Sequence, residues 1–154
     1  CFDHAGLAID SPLPGTTRTV GQALLEPHRS YARVINVLMK IVKVKGMSHI
    51  TGGGLTENLP RTLPENCGAE IDLGAWDVPP LFTFLKNTGD VEDLEMLRTF
   101  NMGMGYLVVV AESDREQALK ALRDMAEDPR VIGRVVEGPN KVSYTGSLRY
   151  GPSH

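Results

Sequence analysis

The sequence predicts an α/β (α+β) fold in which a mixed sheet is covered by helices. Three observations carry this. Helix-like and strand-like patterns interleave along most of the chain. Gly105 to Ala111 is a near-continuous apolar run rich in valine, the pattern of a central strand buried on both faces. The last patterned segments read helix, strand, strand, which points to a mixed sheet rather than a purely parallel one.

The elements follow in order. Residues 1–18 place Gly6, Pro12, Pro14 and Gly15 among a few apolar residues and read as a lead-in loop. Thr19 can cap a short helix through Leu25, stopped by Pro27. Tyr31, Val34, Ile35, Leu38, Met39 and Val42 then form an apolar stripe at helical spacing, predicting a long helix from about His28 to Lys43. Arg33, Lys40 and Lys43 lie on its other side. Residues 46–51 and Ala69–Asp72 read as strands. Asp77-Val78-Pro79-Pro80 starts a helix carrying Leu81, Phe82, Phe84 and Leu85, with Gly89 ending it. Asp90–Phe100 reads as another, with Leu94, Leu97 and Met96 inward. Ser113-Asp114-Arg115-Glu116 spells a capping box for a helix that buries Ala118, Ala121, Leu122 and Met125 and closes at Asp128-Pro129. Arg130–Glu137 and Lys141–Thr145 read as a hairpin around Gly138-Pro139-Asn140. Gly146–His154 reads as a frayed or vector-derived end.

Composition narrows the function classes. The 154 residues suffice for one domain with a sizeable core. A net charge of −3 and a pI of about 5.8 disfavour nucleic acid and anionic membranes as partners. No apolar run is long enough to span a bilayer. Cys1 and Cys67 make no disulfide framework, and no C-x-x-C, H-E-x-x-H or clustered His/Cys set occurs, so no metal ligands are expected. A reduced, cytoplasmic setting is the default. The opening Cys1-Phe2-Asp3, with no initiator Met, reads like the middle of a longer protein.

The richest stretch is His49 to Pro64. Gly52, Gly53 and Gly54 follow a strand-like run and open into a helix-competent segment. Without Cβ atoms they can take positive φ and let a ligand approach the main chain. Pro60 is expected in the first helical turn and Pro64 near the end, so the helix is about two turns long. Its start would aim amides at an anion, with Thr51, Glu57, Asn58 and Arg61 close by. No P-loop or dinucleotide fingerprint is present, and a plain structural turn remains the other reading of the glycines. Asn101-Met102-Gly103-Met104-Gly105, between a helix and the valine-rich strand, is a second candidate loop. Arg29, at a helix start, is a third candidate for an anion. His49 reads as either a general base or a structural histidine. No nucleophile–base pair can be read from spacing.

HITGGGLTENLPR, LPENCGAEID, WDVPPLFTFL and EMLRTFNMGMGYLVVV closely resemble the phosphoribosylformylglycinamidine cyclo-ligase family, the aminoimidazole ribonucleotide synthetases of purine biosynthesis. The likeness keeps one register from about Thr19 to Gly133. LLEPHRSY resembles that family's LL-x-P-T-R-I-Y, with His28 and Ser30 in place of Thr and Ile. The resemblance implies a three-layer α/β/α domain, the C-terminal domain over residues 1–146, with 147–154 as tail and the N-terminal ATP-binding domain absent. It implies ATP and Mg²⁺ held mainly by that absent half, a homodimer in the full-length form, and formylglycinamidine ribonucleotide as substrate. ATP phosphorylates the formyl oxygen, the amidine nitrogen attacks, and phosphate leaves. Thr51, Gly52, Gly53, Gly54, Asn58, Arg61, Arg29 and Asn101 are then expected to line the substrate and phosphate groove. The fragment alone is expected to be inactive. Two alternatives are a stand-alone ligand-binding or regulatory module and a related superfamily member with another phosphorylated substrate.

Overall fold

In the computed structural model, which describes Phe2, Asp3 and residues 5–151, the valine-rich run lies between two apolar layers. β4 (Tyr106–Val109) pairs antiparallel with β1 (Gly46–His49), placing His49 opposite Tyr106. Successive strand side chains point to opposite faces. Leu107 accordingly packs on the main core, around Ile50, Leu55, Met96 and Leu97. Val108 and Val110 join a second cluster of Leu38, Val42, Ala118 and Ala121. That cluster is where α2 (Ala32–Leu38) meets α6 (Arg115–Asp124). The run therefore touches apolar layers on both faces, but Tyr106–Val109 are only half-buried, short of the full burial expected. It is not central, because β1 is its only strand partner among the described residues.

The expected mixed sheet forms around β2 (Cys67–Asp72). β5 (Gly133–Glu137) flanks it antiparallel and β6 (Val142–Thr145) flanks it parallel. The expected hairpin between β5 and β6 is thus overturned, since β2 lies between them. Close approach makes room for it: a Cβ on Gly68 would lie 2.7 Å from the Pro139 carbonyl oxygen, and one on Gly133 would lie 2.1 Å from that of Glu70. Asn140 serves the 60–64 segment instead, its Nδ2 donating to the carbonyls of Pro60, Leu63 and Pro64.

β3 (Asp77–Val78) pairs in parallel with β7 (Arg149–Tyr150). The frayed end expected from residue 147 therefore does not hold for 148–150. Leu148 is buried, and the Tyr150 hydroxyl donates to Asp93 at 2.7 Å. Burial, with that carboxylate beside it, pushes the Tyr150 phenol above its ordinary pKa. Residues 152–154 lie outside the described residues.

The helices differ from expectation mainly at their ends. α1 (Val20–Leu24) has the capping box, with Thr19 and Gln22 bonding reciprocally. The box expected at Ser113 does not form. A 3₁₀ turn over Glu112–Asp114 delays α6 to Arg115, and the Ser113 hydroxyl bonds the Asp114 side chain. α6 also stops early, at Asp124, with Ala126 at φ 60°. α2 is far shorter than His28–Lys43: His28 and Arg29 lie outside it, held by side-chain partners on other elements, and Met39 is exposed. α4 (Pro80–Gly89) takes Pro80 in its first turn and ends in a left-handed Asp90. In α5 (Asp93–Thr99), Met96 and Leu97 are fully buried, whereas Leu94 points to solvent. Among the described residues, no helix is long and apolar enough to cross a membrane.

Candidate functional site

α3 (Gly54–Asn58) has five residues, and Pro60 opens a separate 3₁₀ turn over Pro60–Thr62 rather than lying in its first turn. So short a helix has little dipole of its own. What the segment offers is loop backbone. Gly53 and Gly54 take φ of 96° and 56°, a region that favours glycine. The Gly54 amide donates to the Thr51 carbonyl at 3.0 Å. The amides of Gly52 and Gly53 have no protein acceptor among the described residues.

An open cleft of about 210 Å³ lies beside this loop. Its polar lining is His28, Thr51, Gly52, Thr99 and Asn101; Ile50, Phe82 and Phe100 are apolar. Phe82 and Phe100 pack at 5.6 Å between centroids. The two sequence candidates, the glycine loop and the loop after α5, thus wall one cleft. Asn101 accepts from the Gly103 amide through Oδ1 at 3.0 Å, which fixes the turn. Its Nδ2 has no partner among the described residues. Met102 sits at φ 52° beneath it, its carbonyl held by the buried Trp76 indole N–H at 2.9 Å.

Five expected residues lie outside the cleft lining: Gly53, the buried Gly54, Asn58, Arg61 and Arg29. Asn58 is buried behind the loop, and its Nδ2 donates to the carbonyls of Thr51, Gly52 and Gly54 at 2.9–3.4 Å. It clamps the loop instead of lining the cleft. Asn58→Ala is expected to lower stability by about 2 kcal/mol, because three carbonyls lose a shared donor; urea unfolding would measure it. Arg61 is largely exposed and faces Glu57 at 3.8 Å and Asn58 Oδ1 at 3.4 Å. Arg29 is paired with Glu127, 57% and 14% exposed respectively, and lies over the Tyr31 ring. Neither arginine lines the cleft.

Sequence reasoning missed a contact. His28, from the segment before α2, meets His49 of β1 with their Nε2 atoms 2.6 Å apart. The rings are 21 positions apart in the chain, and no spacing rule joins them.

Residues 3–145 match the family model described as AIR synthase related protein, C-terminal domain. The chain belongs to this family. Among curated relatives of this AIR synthase related domain, the phosphoribosylformylglycinamidine cyclo-ligase of Trichlorobacter lovleyi is 49% identical over 134 residues, covering 87% of this chain and 38% of the relative. That of Bacillus cereus is 45% identical over 145 residues, covering 94% of this chain and 42% of the relative. The chain thus spans about two fifths of the length of the relatives it matches. A crystal structure of E. coli HypE, a hydrogenase maturation protein, superposes with a TM-score of 0.58 at 23% identity, covering 82% of this chain and 41% of that one. At that identity the likeness shows a shared fold, and it agrees with the α+β reading.

Proposed function

We propose that this chain is the C-terminal half of an ATP-dependent cyclo-ligase that converts formylglycinamidine ribonucleotide to aminoimidazole ribonucleotide in cytoplasmic purine biosynthesis. One observation carries the reading. A match over 134 of 154 residues must take in residues 21–134 wherever it starts, and so both loops that wall the cleft. The partner is the protein's own N-terminal domain, and the full-length form is a homodimer. ATP and Mg²⁺ belong to that other half. Among the described residues no group of three His, Cys, Asp or Glu side chains could hold a metal ion, so no step below runs through Mg²⁺.

In this reading the chain's residues position groups and receive negative charge. The Gly52 and Gly53 amides bind a phosphate or phosphoryl oxygen of the substrate. Thr51 and Asn101 orient it from the two walls. Asn58 holds the loop in shape from behind. Arg29 and Arg61 reach the substrate only by exchanging their present carboxylate partners for it.

The test joins this chain to the N-terminal half of such a relative. ATP-dependent formation of aminoimidazole ribonucleotide is expected from the joined protein, and none from residues 1–154 alone. A folded, ATP-binding joined protein without ring closure would overturn the assignment. Ring closure by the separate chain would show that it is not a dependent half.

A further inference from the structure

The cleft contains one side chain able to take a proton. Of its lining residues, only His28 carries a basic nitrogen; the others offer hydroxyl, amide, backbone or hydrocarbon. That ring does not stand alone, because its Nε2 lies 2.6 Å from His49 Nε2. Such a contact requires an N–H on one ring and a lone pair on the other. His49 is set by sheet register, opposite Tyr106 across the β1–β4 ribbon. The Tyr31 and Tyr106 rings each lie 5.9 Å from it between centroids. The Tyr31 ring lies 5.2 Å from that of Tyr106, and its hydroxyl sits over Gly105, where a Cβ would meet it at 2.1 Å. Both imidazoles are exposed, and the strand pair and the two tyrosine rings set where the His49 ring sits.

We propose that His28 and His49 form a proton-transfer dyad in which His28 Nε2–H donates to His49 Nε2, leaving Nδ1 of His28 as the proton acceptor of the cleft. This rests on the ring-closing reading above. In that step the amidine nitrogen attacks the carbon whose oxygen has received a phosphoryl group from a nucleoside triphosphate. The C–N bond forms, the C–O bond breaks, and inorganic phosphate leaves with the bonding pair. The proton released by the nitrogen passes to His28 Nδ1. The imidazolium so formed keeps its Nε2–H on His49, which is a positioning residue. A base oriented by a second group follows the general logic of hydrolytic triads, here with a neutral ring as the orienting group.

The experiment uses the joined, full-length protein and begins with wild-type turnover. H28Q should lower kcat by about 100-fold, the scale of a lost general base, and leave KM within about threefold. Added imidazole should restore turnover to H28A in proportion to its concentration, which a packing role would not allow. Ring ¹⁵N spectra should show one His28 tautomer in the wild type and a mixture in H49F. Wild-type kcat in H28Q, or an H28A defect indifferent to imidazole, would overturn the dyad. If the wild type makes no aminoimidazole ribonucleotide, the proposed function fails, and the spectra still judge the pair. A His28 tautomer unchanged in H49F would refute it, and one lost in H49F would support it.

Discussion

Gly54→Ala should cost about 3–4 kcal/mol, a large share of the roughly 5–15 kcal/mol that holds an ordinary domain folded. Two effects add. Alanine at φ 56° enters the left-handed region, which costs about 1–2 kcal/mol. Its Cβ would also sit 1.9 Å from the Leu97 carbonyl oxygen and 2.8 Å from that of Phe100. Those atoms are backbone at the end of α5 and cannot swing aside, so α3 and α5 must separate. Overpacking of that kind costs about 1–3 kcal/mol. The separation would open the contact between Leu55 and Leu59 on one side and Met96 and Leu97 on the other, all buried in the main core. Gly52→Ala is the control. Its Cβ would meet nothing within 4 Å, and its φ is not in the left-handed region, so a change below about 0.5 kcal/mol is expected. Urea unfolding of both variants decides the matter. Equal stabilities would show that the approach to α5 is not what requires glycine.

That asymmetry explains why the glycine loop was legible as a feature but not as three distinct positions. A run of glycines announces unusual backbone. Which one faces a cleft and which one faces a carbonyl depends on α5, some forty residues further along the chain. The same limit explains the β5–β6 error. Gly138-Pro139-Asn140 has the local chemistry of a hairpin turn, and locally the chain does reverse there. The turn residues do not report that β2 enters between the two strands, and the glycines that permit it are Gly68 and Gly133. Helix existence came through, because periodicity and caps are local. Helix ends did not, as with α2, where His28 and Arg29 are held by His49 and Glu127 from distant elements. In the cleft, Thr51, Gly52 and Asn101 were readable from loop composition. Asn58 has the right residue type for a ligand, but its amide is taken up by three loop carbonyls.

Gly53→Val in the joined, full-length protein should lower kcat/KM at least 100-fold while leaving most of the fold intact. Gly53 holds φ 96°, closed to a β-branched residue. A Cβ there would lie 3.0 Å from the Glu57 Cβ and carboxylate and 3.3 Å from Asn58 Nδ2. Unlike the neighbours of Gly54, these are side-chain atoms, and the Glu57 side chain is exposed. Strain can therefore be relieved by turning the Gly52–Gly53 peptides, without prising helices apart. The relief itself moves the two amides that have no protein acceptor, and it disturbs the Asn58 clamp beneath them. Loss of a preorganised amide donor from an oxyanion site costs about 100- to 1,000-fold in rate. Stability should fall by less than in Gly54→Ala, and the ranking of the two variants should reverse between unfolding and turnover per folded molecule. Normal kcat/KM in a folded Gly53→Val protein would remove the loop amides from the reaction. Loss of turnover accompanied by global unfolding would mean that Gly53, like Gly54, is held by packing.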